Sequence, residues 1–180
     1  TVGKARGYQH CTKSGQGSAA VRLRNGLIVG ALAAVNAFGD IVDPLSGRIV
    51  AGVRADDGGF VSTLSLWKDR LGPAEAPLAT NTTIAVVATN ANLDKSRATK
   101  VAQMAQNGLA RVIHPCHTMY DGDTVFALAT GEISADVSLV GTLAQEMLAQ
   151  AILRAVYAAE TTQGLPNWRD AAQPPGRPGL

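Results

Sequence analysis

The chain has little cysteine, few aromatics, almost no excess of one charge and no long hydrophobic run. Its two cysteines, Cys11 and Cys116, are too few for a disulfide framework; they are read as reduced, with one bridge between them as the open alternative. Aromatics make up 4% of the 180 residues, and the 16 Lys and Arg are scattered and nearly matched by 14 Asp and Glu, for a net charge of +2. Neither a basic stripe nor a stacking surface remains for nucleic acid, so no such partner is expected. The longest mostly apolar run, Leu27 to Phe38, is interrupted by Gly30 and Asn36 and is too short for a bilayer, so no membrane partner is expected either. No secretory signal is visible at the start, and the chain begins at Thr1 rather than methionine, which leaves the compartment weakly constrained, with the cytoplasm favoured.

What is present suits one soluble domain of mixed α and β structure: the chain is 46% hydrophobic and long enough to bury a substantial core. After a glycine-punctuated opening (1–18), "AAVRLR" and "GLIVGALAAVNAFGDIV" read as strands, and "DPLSG" turns the chain into "RIVAGV" as a hairpin. Residues 54–80 mix Gly, Pro and charge and read as a surface loop or linker. A strand over 83–88 then leads into a helix over 92–112, with Asp94 as N-cap and Ala98, Val101, Ala105 and Leu109 at helical spacing. A second strand, "TVFALAT", precedes a longer helix carrying Leu139, Leu143, Met147, Ile152 and Val156 on one stripe. The Pro- and Gly-rich tail from Gly164 is expected to be frayed or wrapped on the surface. The strands are apolar on nearly every residue, which predicts burial on two sides and a layered sandwich with helices outside sheets.

The stretch "TNTTIAVVATN" introduces its strand with Asn81 followed by two threonines. As bare composition this is a turn residue and two good strand formers. Threonine is also a nucleophile when a base sits beside it, and one solution places it first in a chain so that its own α-amine takes the proton. Attack of the Thr82 hydroxyl on the Asn81 carbonyl would form an ester that water cleaves. The amine so freed has a reference pKa of about 7.7–8.0, suited to a general base near neutrality.

"NTTIAVVATN" followed by "HTMYDGDTVFALATG" resembles the self-processing DmpA-type aminopeptidases and the nylon-oligomer hydrolase, members of the N-terminal-nucleophile hydrolases. The resemblance runs from Gly3 to about Glu160 and corresponds to the C-terminal half of the family's roughly twofold longer chains. It implies an αββα sandwich of the DmpA and ornithine-acetyltransferase type, incomplete in this chain. It also implies self-cleavage between Asn81 and Thr82 into an α part ending at 81 and a β part, 82–180, that remain one structural domain. Thr82 would be the nucleophile. Asp121 and Asp123, at i and i+2 and hence on one side of an extended segment, would orient its amine and hydroxyl, at least one staying ionised. Asn36 matches an Asn whose side-chain amide helps stabilise the oxyanion, a contribution of roughly 3 kcal/mol in comparable sites. Lys4 matches a lysine near the nucleophile of the nylon-oligomer hydrolase across a one-residue gap.

The activity so implied is an aminopeptidase acting on short peptides or amino-acid amides through an acyl ester on Thr82, with ω-amino-acid oligomers as the alternative substrate and an inactive scaffold as the alternative of another class. "NTTI" does not match the Ala-Thr-Met-Leu cleavage stretch of ornithine acetyltransferase, which favours hydrolysis over acyl transfer. No metal and no cofactor is expected. "HPCH" (114–117) offers soft ligands without a fourth at zinc-like spacing; a Cys116–His117 couple is set aside because His117 falls in the family-like turn, and "DDGG" (56–59) reads as a solvated turn. Expected partners are a small peptide or amide substrate, the N-terminal part of a precursor, and further copies of the chain in a homo-oligomer.

Overall fold

Side chains alternate across an extended backbone, and that alternation divides the sheet of this protein into one covered and one open face. The computed structural model describes residues 1–69 and 81–173. In it β1 (Gln16–Arg22) and β2 (Ile28–Ala34) pair antiparallel, from Gln16 opposite Ala34 to Arg22 opposite Ile28, around a turn at Gly26 whose φ of 86° suits glycine. The run 26–42, read as continuously strand-like, divides in two. β2 stops at Ala34, and β3 (Asp40–Val42) lies in a separate three-stranded sheet, between β4 (Ile49–Ala51) and β8 (Ile113–His114). The expected hairpin is present: β4 (Ile49–Ala51) returns beside β3 with Ile41 opposite Ala51.

Residues 54–80 are less irregular than expected. β5 (Val53–Arg54) and β6 (Phe60–Val61) form a short hairpin, followed by α1 (Thr63–Asp69); residues 70–80 lie outside the described residues. A buried carboxylate organises this segment. Asp40, 1% exposed, accepts from the Thr63 N–H at 2.7 Å, the Thr63 hydroxyl at 2.8 Å and the Val53 N–H at 3.1 Å, tying β3, β5 and the start of α1 together. The sequence pattern hides this, because Asp40 lies outside the helix it anchors.

β7 (Ile84–Ala91) sits between β2, to which it is antiparallel, and β9 (Thr124–Ile133), to which it is parallel, giving the order β1-β2-β7-β9. The parallel connection runs through α2 (Lys95–Ala105), α3 (Asn107–Val112) and β8 (Ile113–His114). Asp94 caps α2 as expected, accepting from the Arg97 N–H at 2.8 Å. The single helix expected over 92–112 is two helices. The break lies just before Gly108, where an added Cβ would stand 2.6 Å from the Gln145 carbonyl, so α3 lies flush on the next helix. That helix, α4 (Val137–Tyr157), is capped by Asp136 and crosses β1 and β2. Its buried stripe takes in Met147, Ile152 and Val156, but Leu139 is 41% exposed and Val140 takes the inward position instead.

The tail also packs. Leu165 is buried, Asn167 caps α5 (Trp168–Ala171), Trp168 meets the Tyr157 ring edge-on at 5.1 Å, and the Ala171 carbonyl accepts from Gly59. Local capping and two aromatics thus override the Pro and Gly content as far as residue 173.

Burial on both sides of the strands is the other correction. α2 and α4 cover one face, with α3 packed on α4, burying Ala31, Ala33, Ala85 and Val87 among others, whereas Ile28, Leu32, Ile84, Phe126 and Leu128 project from the opposite face and stay 38–59% exposed. The described residues therefore make a helix layer on a sheet layer. No helix among the described residues is long and apolar enough to cross a membrane.

Burial pushes the Asp40 carboxyl up to about 6 from 3.8, against the bonds from Thr63 and Val53 that favour its charged form. Between those values the native state binds more protons than the unfolded chain, so this group's contribution is fully present below about 3.8 and is lost as pH rises through about 6. Asp40→Ala is expected to remove that pH dependence and to destabilise the protein by at least about 2 kcal/mol, since two N–H groups are left buried without acceptors. Urea denaturation of wild type and variant at pH 4, 5, 6 and 7 measures both effects; an unchanged midpoint would show that Asp40 does not tie these strands.

Candidate active site

Three strand ends meet where β7 begins. Because β2 is antiparallel and β9 parallel to β7, the C-terminal end of β2 and the lead-in to β9 both lie beside residues 81–83. An isolated parallel bridge pairs Asn81 with Asp121, and the Thr124 N–H donates to the Thr83 carbonyl at 3.0 Å. Thr82, Asn81, Asp121, Asp123, Asn36 and Lys4, singled out from sequence, are thereby gathered at one edge of the sheet.

The peptide joining Asn81 to Thr82 is held at both ends. Its N–H donates to the Asn36 carbonyl at 2.9 Å, and its carbonyl oxygen accepts from the Gly122 N–H at 2.8 Å. The Thr82 hydroxyl lies over the same carbonyl, donating to the Asn81 oxygen at 2.6 Å. The nucleophile candidate is thus already directed at the bond it would cut. Lys4 Nζ donates to Asn36 Oδ1 at 2.8 Å and to the Asn36 carbonyl at 3.2 Å, the oxygen that also receives the Thr82 N–H. These bonds turn the oxygen of the Asn36 amide towards Lys4. Burial pulls the Lys4 ammonium down to about 8, so a neutral, proton-accepting form is within reach near neutral pH.

The two aspartates hold the frame of the site rather than Thr82 itself. Asp121 accepts from the Phe38 N–H at 3.1 Å, the Thr118 hydroxyl at 2.6 Å and the Thr118 N–H at 3.3 Å. Asp123 Oδ1 accepts from the Thr83 N–H at 2.7 Å, one residue beyond the nucleophile candidate. Its Oδ2 has no hydrogen bond, with His117 Nδ1 at 3.6 Å. Burial raises the Asp123 carboxyl above the usual carboxylate range, the Thr83 bond opposing this and the neighbouring Asp121 reinforcing it.

Among the described residues, the buried side-chain polar atoms without a hydrogen-bond partner are Asn81 Oδ1, Thr83 Oγ1 and Asp123 Oδ2. All three surround Thr82. Buried polar groups are normally paired, so three orphans in one place set this spot apart from the rest of the described residues. His117 adds backbone strain there, with a φ of 54° that non-glycine residues rarely adopt.

Several contributors escaped the sequence reading. The Gly122 N–H is one, because backbone donors leave no trace in residue type. Thr118 is another, although its three-residue spacing from Asp121 was visible. Phe38, Trp67 and Tyr120 form a cluster with centroids 5.1–5.9 Å apart that braces the lead-in to Asp121, and the Tyr120 carbonyl receives the Asn81 side-chain amide at 3.1 Å. Trp67 fell in the segment read as irregular; Ser62 ahead of it, accepting from the Ser65 N–H, was the missed helix-start signal. Cys116 is a poor nucleophile candidate: burial, with Asp123 and Asp121 nearby, pushes its thiol up to about 11.

Known proteins share the family and the fold of this chain. The chain is 41% identical over 172 residues to an uncharacterized aminopeptidase of Mycobacterium leprae, covering 87% of this chain and 48% of the relative. It is 29% identical over 157 residues to the 6-aminohexanoate-oligomer endohydrolase of a Kocuria species, covering 79% of this chain and 44% of that one. The chain spans about half the length of the curated relatives it matches. Its fold is shared with the l-aminopeptidase d-ala-esterase/amidase of Ochrobactrum anthropi, a prototype of the serine aminopeptidases and a variant of the Ntn hydrolase fold. There the TM-score is 0.51 at 20% identity, over 91% of this chain and 48% of that one. The sequence profile of peptidase family S58 matches residues 2–168, which take in the whole four-stranded sheet and the helices beneath it: the chain belongs to that family.

Proposed function

We propose that this chain carries the catalytic centre of a self-processing amide hydrolase, in which Thr82 first cuts the bond to Asn81 and then, as the N-terminal residue of the β part, attacks short peptides or amino-acid amides. The observation that supports it most directly is the held peptide: hydroxyl over carbonyl at 2.6 Å, N–H on Asn36, carbonyl on Gly122. After the cut, the Thr82 nitrogen becomes an amine beside the Asn36 carbonyl and serves as base for its own hydroxyl. The acyl group of the substrate is then carried on Thr82 Oγ1 until water releases it. Linear ω-amino-acid oligomers are the second substrate reading, supported by the likeness to the 6-aminohexanoate-oligomer endohydrolase. The open apolar face around Leu32, Ile84 and Phe126 fits coverage by the remainder of a longer precursor or by another copy.

Intact mass and N-terminal sequencing of the purified full-length protein test the first step. Wild type is expected to give a fragment beginning at Thr82, Thr82→Ala to remain one folded, uncut chain, and Thr82→Ser to cut at an altered rate. A fragment starting at Thr83, or none after long incubation, removes Thr82 from this role. Turnover of the cut form is expected to rise with pH as the amine loses its proton, around a reference value of about 7.7–8.0, and to be abolished by acetylating that amine. Full activity of the acetylated β chain would assign the base to another group.

The aspartates give a second test. Asp123→Asn is expected to lower cutting and turnover by at least about tenfold, because its amide cannot act as a carboxylate beside Thr83. The melting temperature should move little, since Oδ1 can still accept the Thr83 N–H. Asp121→Asn is expected to act in the same direction and to lower the melting temperature more, since both its oxygens accept hydrogen bonds. Rates equal to wild type in both variants would reduce the pair to turn residues.

A further inference from the structure

When the Thr82 hydroxyl adds to the Asn81 carbonyl, the new Oγ–C bond sends the C=O π pair onto the carbonyl oxygen. Among the described residues, two groups touch that oxygen in the uncut chain: the Thr82 hydroxyl at 2.6 Å and the Gly122 N–H at 2.8 Å. The hydroxyl is the attacking group, and it ceases to be a donor as its oxygen bonds to carbon. Gly122 alone of the two still faces the charge. We propose that the main-chain N–H of Gly122 is the oxyanion donor of the self-cleavage step, a role that rests on Thr82 being the nucleophile. Collapse of the tetrahedral species breaks the C–N bond, the hydroxyl proton ends on the Thr82 nitrogen, and water then splits the ester into an Asn81 carboxylate and a free Thr82 hydroxyl.

The donor is fixed before the reaction begins. Residue 121 is pinned by its bonds to Phe38 and Thr118, residue 123 by its bond to the Thr83 N–H, and residue 124 by its N–H on the Thr83 carbonyl. The N–H between them therefore needs no reorganisation as charge develops, the condition under which such donors contribute most. Residue type agrees. Gly122 is absent from the glycines with positive φ, so its backbone conformation does not call for glycine. Space does: a Cβ at this position would stand 2.9 Å from Thr82 Oγ1 and crowd the nucleophile. Gly122 thus brings its N–H to the carbonyl without a side chain obstructing the attack. Self-cleavage acquires a donor separate from the Asn36 amide, whose oxygen is turned towards Lys4.

The test replaces the amide between Asp121 and Gly122 in the full-length precursor by an ester, using glycolic acid at position 122 introduced by semisynthesis. This deletes the N–H and adds no bulk. The ester precursor is expected to cut about 10²–10³-fold more slowly than wild type, the loss usual for one oxyanion donor, with the same Thr82 N-terminus and a similar melting temperature. Cutting at the wild-type rate overturns the proposal and leaves Thr82 in place. A wild-type precursor that never yields a fragment beginning at Thr82 overturns the underlying reading instead. If the ester chain does not fold, the coupling across the hydrogen bond between the Gly122 15N and the Asn81 carbonyl 13C decides, measured by NMR in the uncut Thr82→Ala precursor. A measurable coupling supports the contact, and its absence in the folded precursor overturns the proposal.

Discussion

Everything at this site depends on one peptide group gripped from two sides, by the segment just after β2 and by the lead-in to β9. The Asn36 carbonyl holds the nitrogen of the 81–82 bond and the Gly122 N–H holds its oxygen. Both grips follow from the sheet order, which sets the central strand β7 between an antiparallel and a parallel neighbour so that three strand ends meet at one edge. Sheet topology here therefore sets how the 81–82 peptide is held. The helices beneath the sheet keep it rigid: α4 lies so close to β1 that an added Cβ on Gly17 would collide with the backbone of Ala151 and Ala155.

Holding such a site costs stability. Each buried polar atom left unpaired forfeits about 1–3 kcal/mol, and the three around Thr82 are joined by a strained His117 backbone. The rest of the domain offsets this with an apolar cluster, where Leu148, Ile152 and Val156 of α4 meet Ala19, Val29, Ala31 and Ala33 of the sheet. Asp40 is the counterexample within the fold. It is buried and charged, yet three donors satisfy it, and its work is to bind loops rather than to react.

What could be read in the sequence follows from how each feature is encoded. Side chains at short spacing were legible: Asp94 as a cap, the "NTT" and "DGD" motifs, the hairpin around Asp43 to Gly47. The structure brings Thr82 and both aspartates to one place. Features carried by the backbone or by distant contacts were not legible. Gly122 acts through an N–H, the division of residues 26–42 between two sheets depends on where Asp40 finds Thr63 and Val53, and the α2–α3 break depends on α4 lying against Gly108. The tail was misjudged because Pro and Gly were counted while the Asn167 cap and the Trp168–Tyr157 contact were not.

The expectation of strands buried on two sides failed in an instructive way. Residues 83, 85 and 87 face the helices, so by alternation Thr82 belongs with Ile84 and Val86 on the side that the chain leaves open. The sequence carries apolar side chains for a covered face, and the described residues cover only the other one. Among the described residues, Asn36 and Gly122 grip the 81–82 bond, beside the open side on which Thr82 falls. On the reading proposed here, the capacity to cut itself and the choice of substrate are physically separate properties. Self-cleavage is set by β2, β7 and the lead-in to β9, and specificity by whatever packs against Leu32, Ile84 and Phe126. Relatives that share the held peptide can therefore differ in the amides they accept without altering the residues that make the nucleophile.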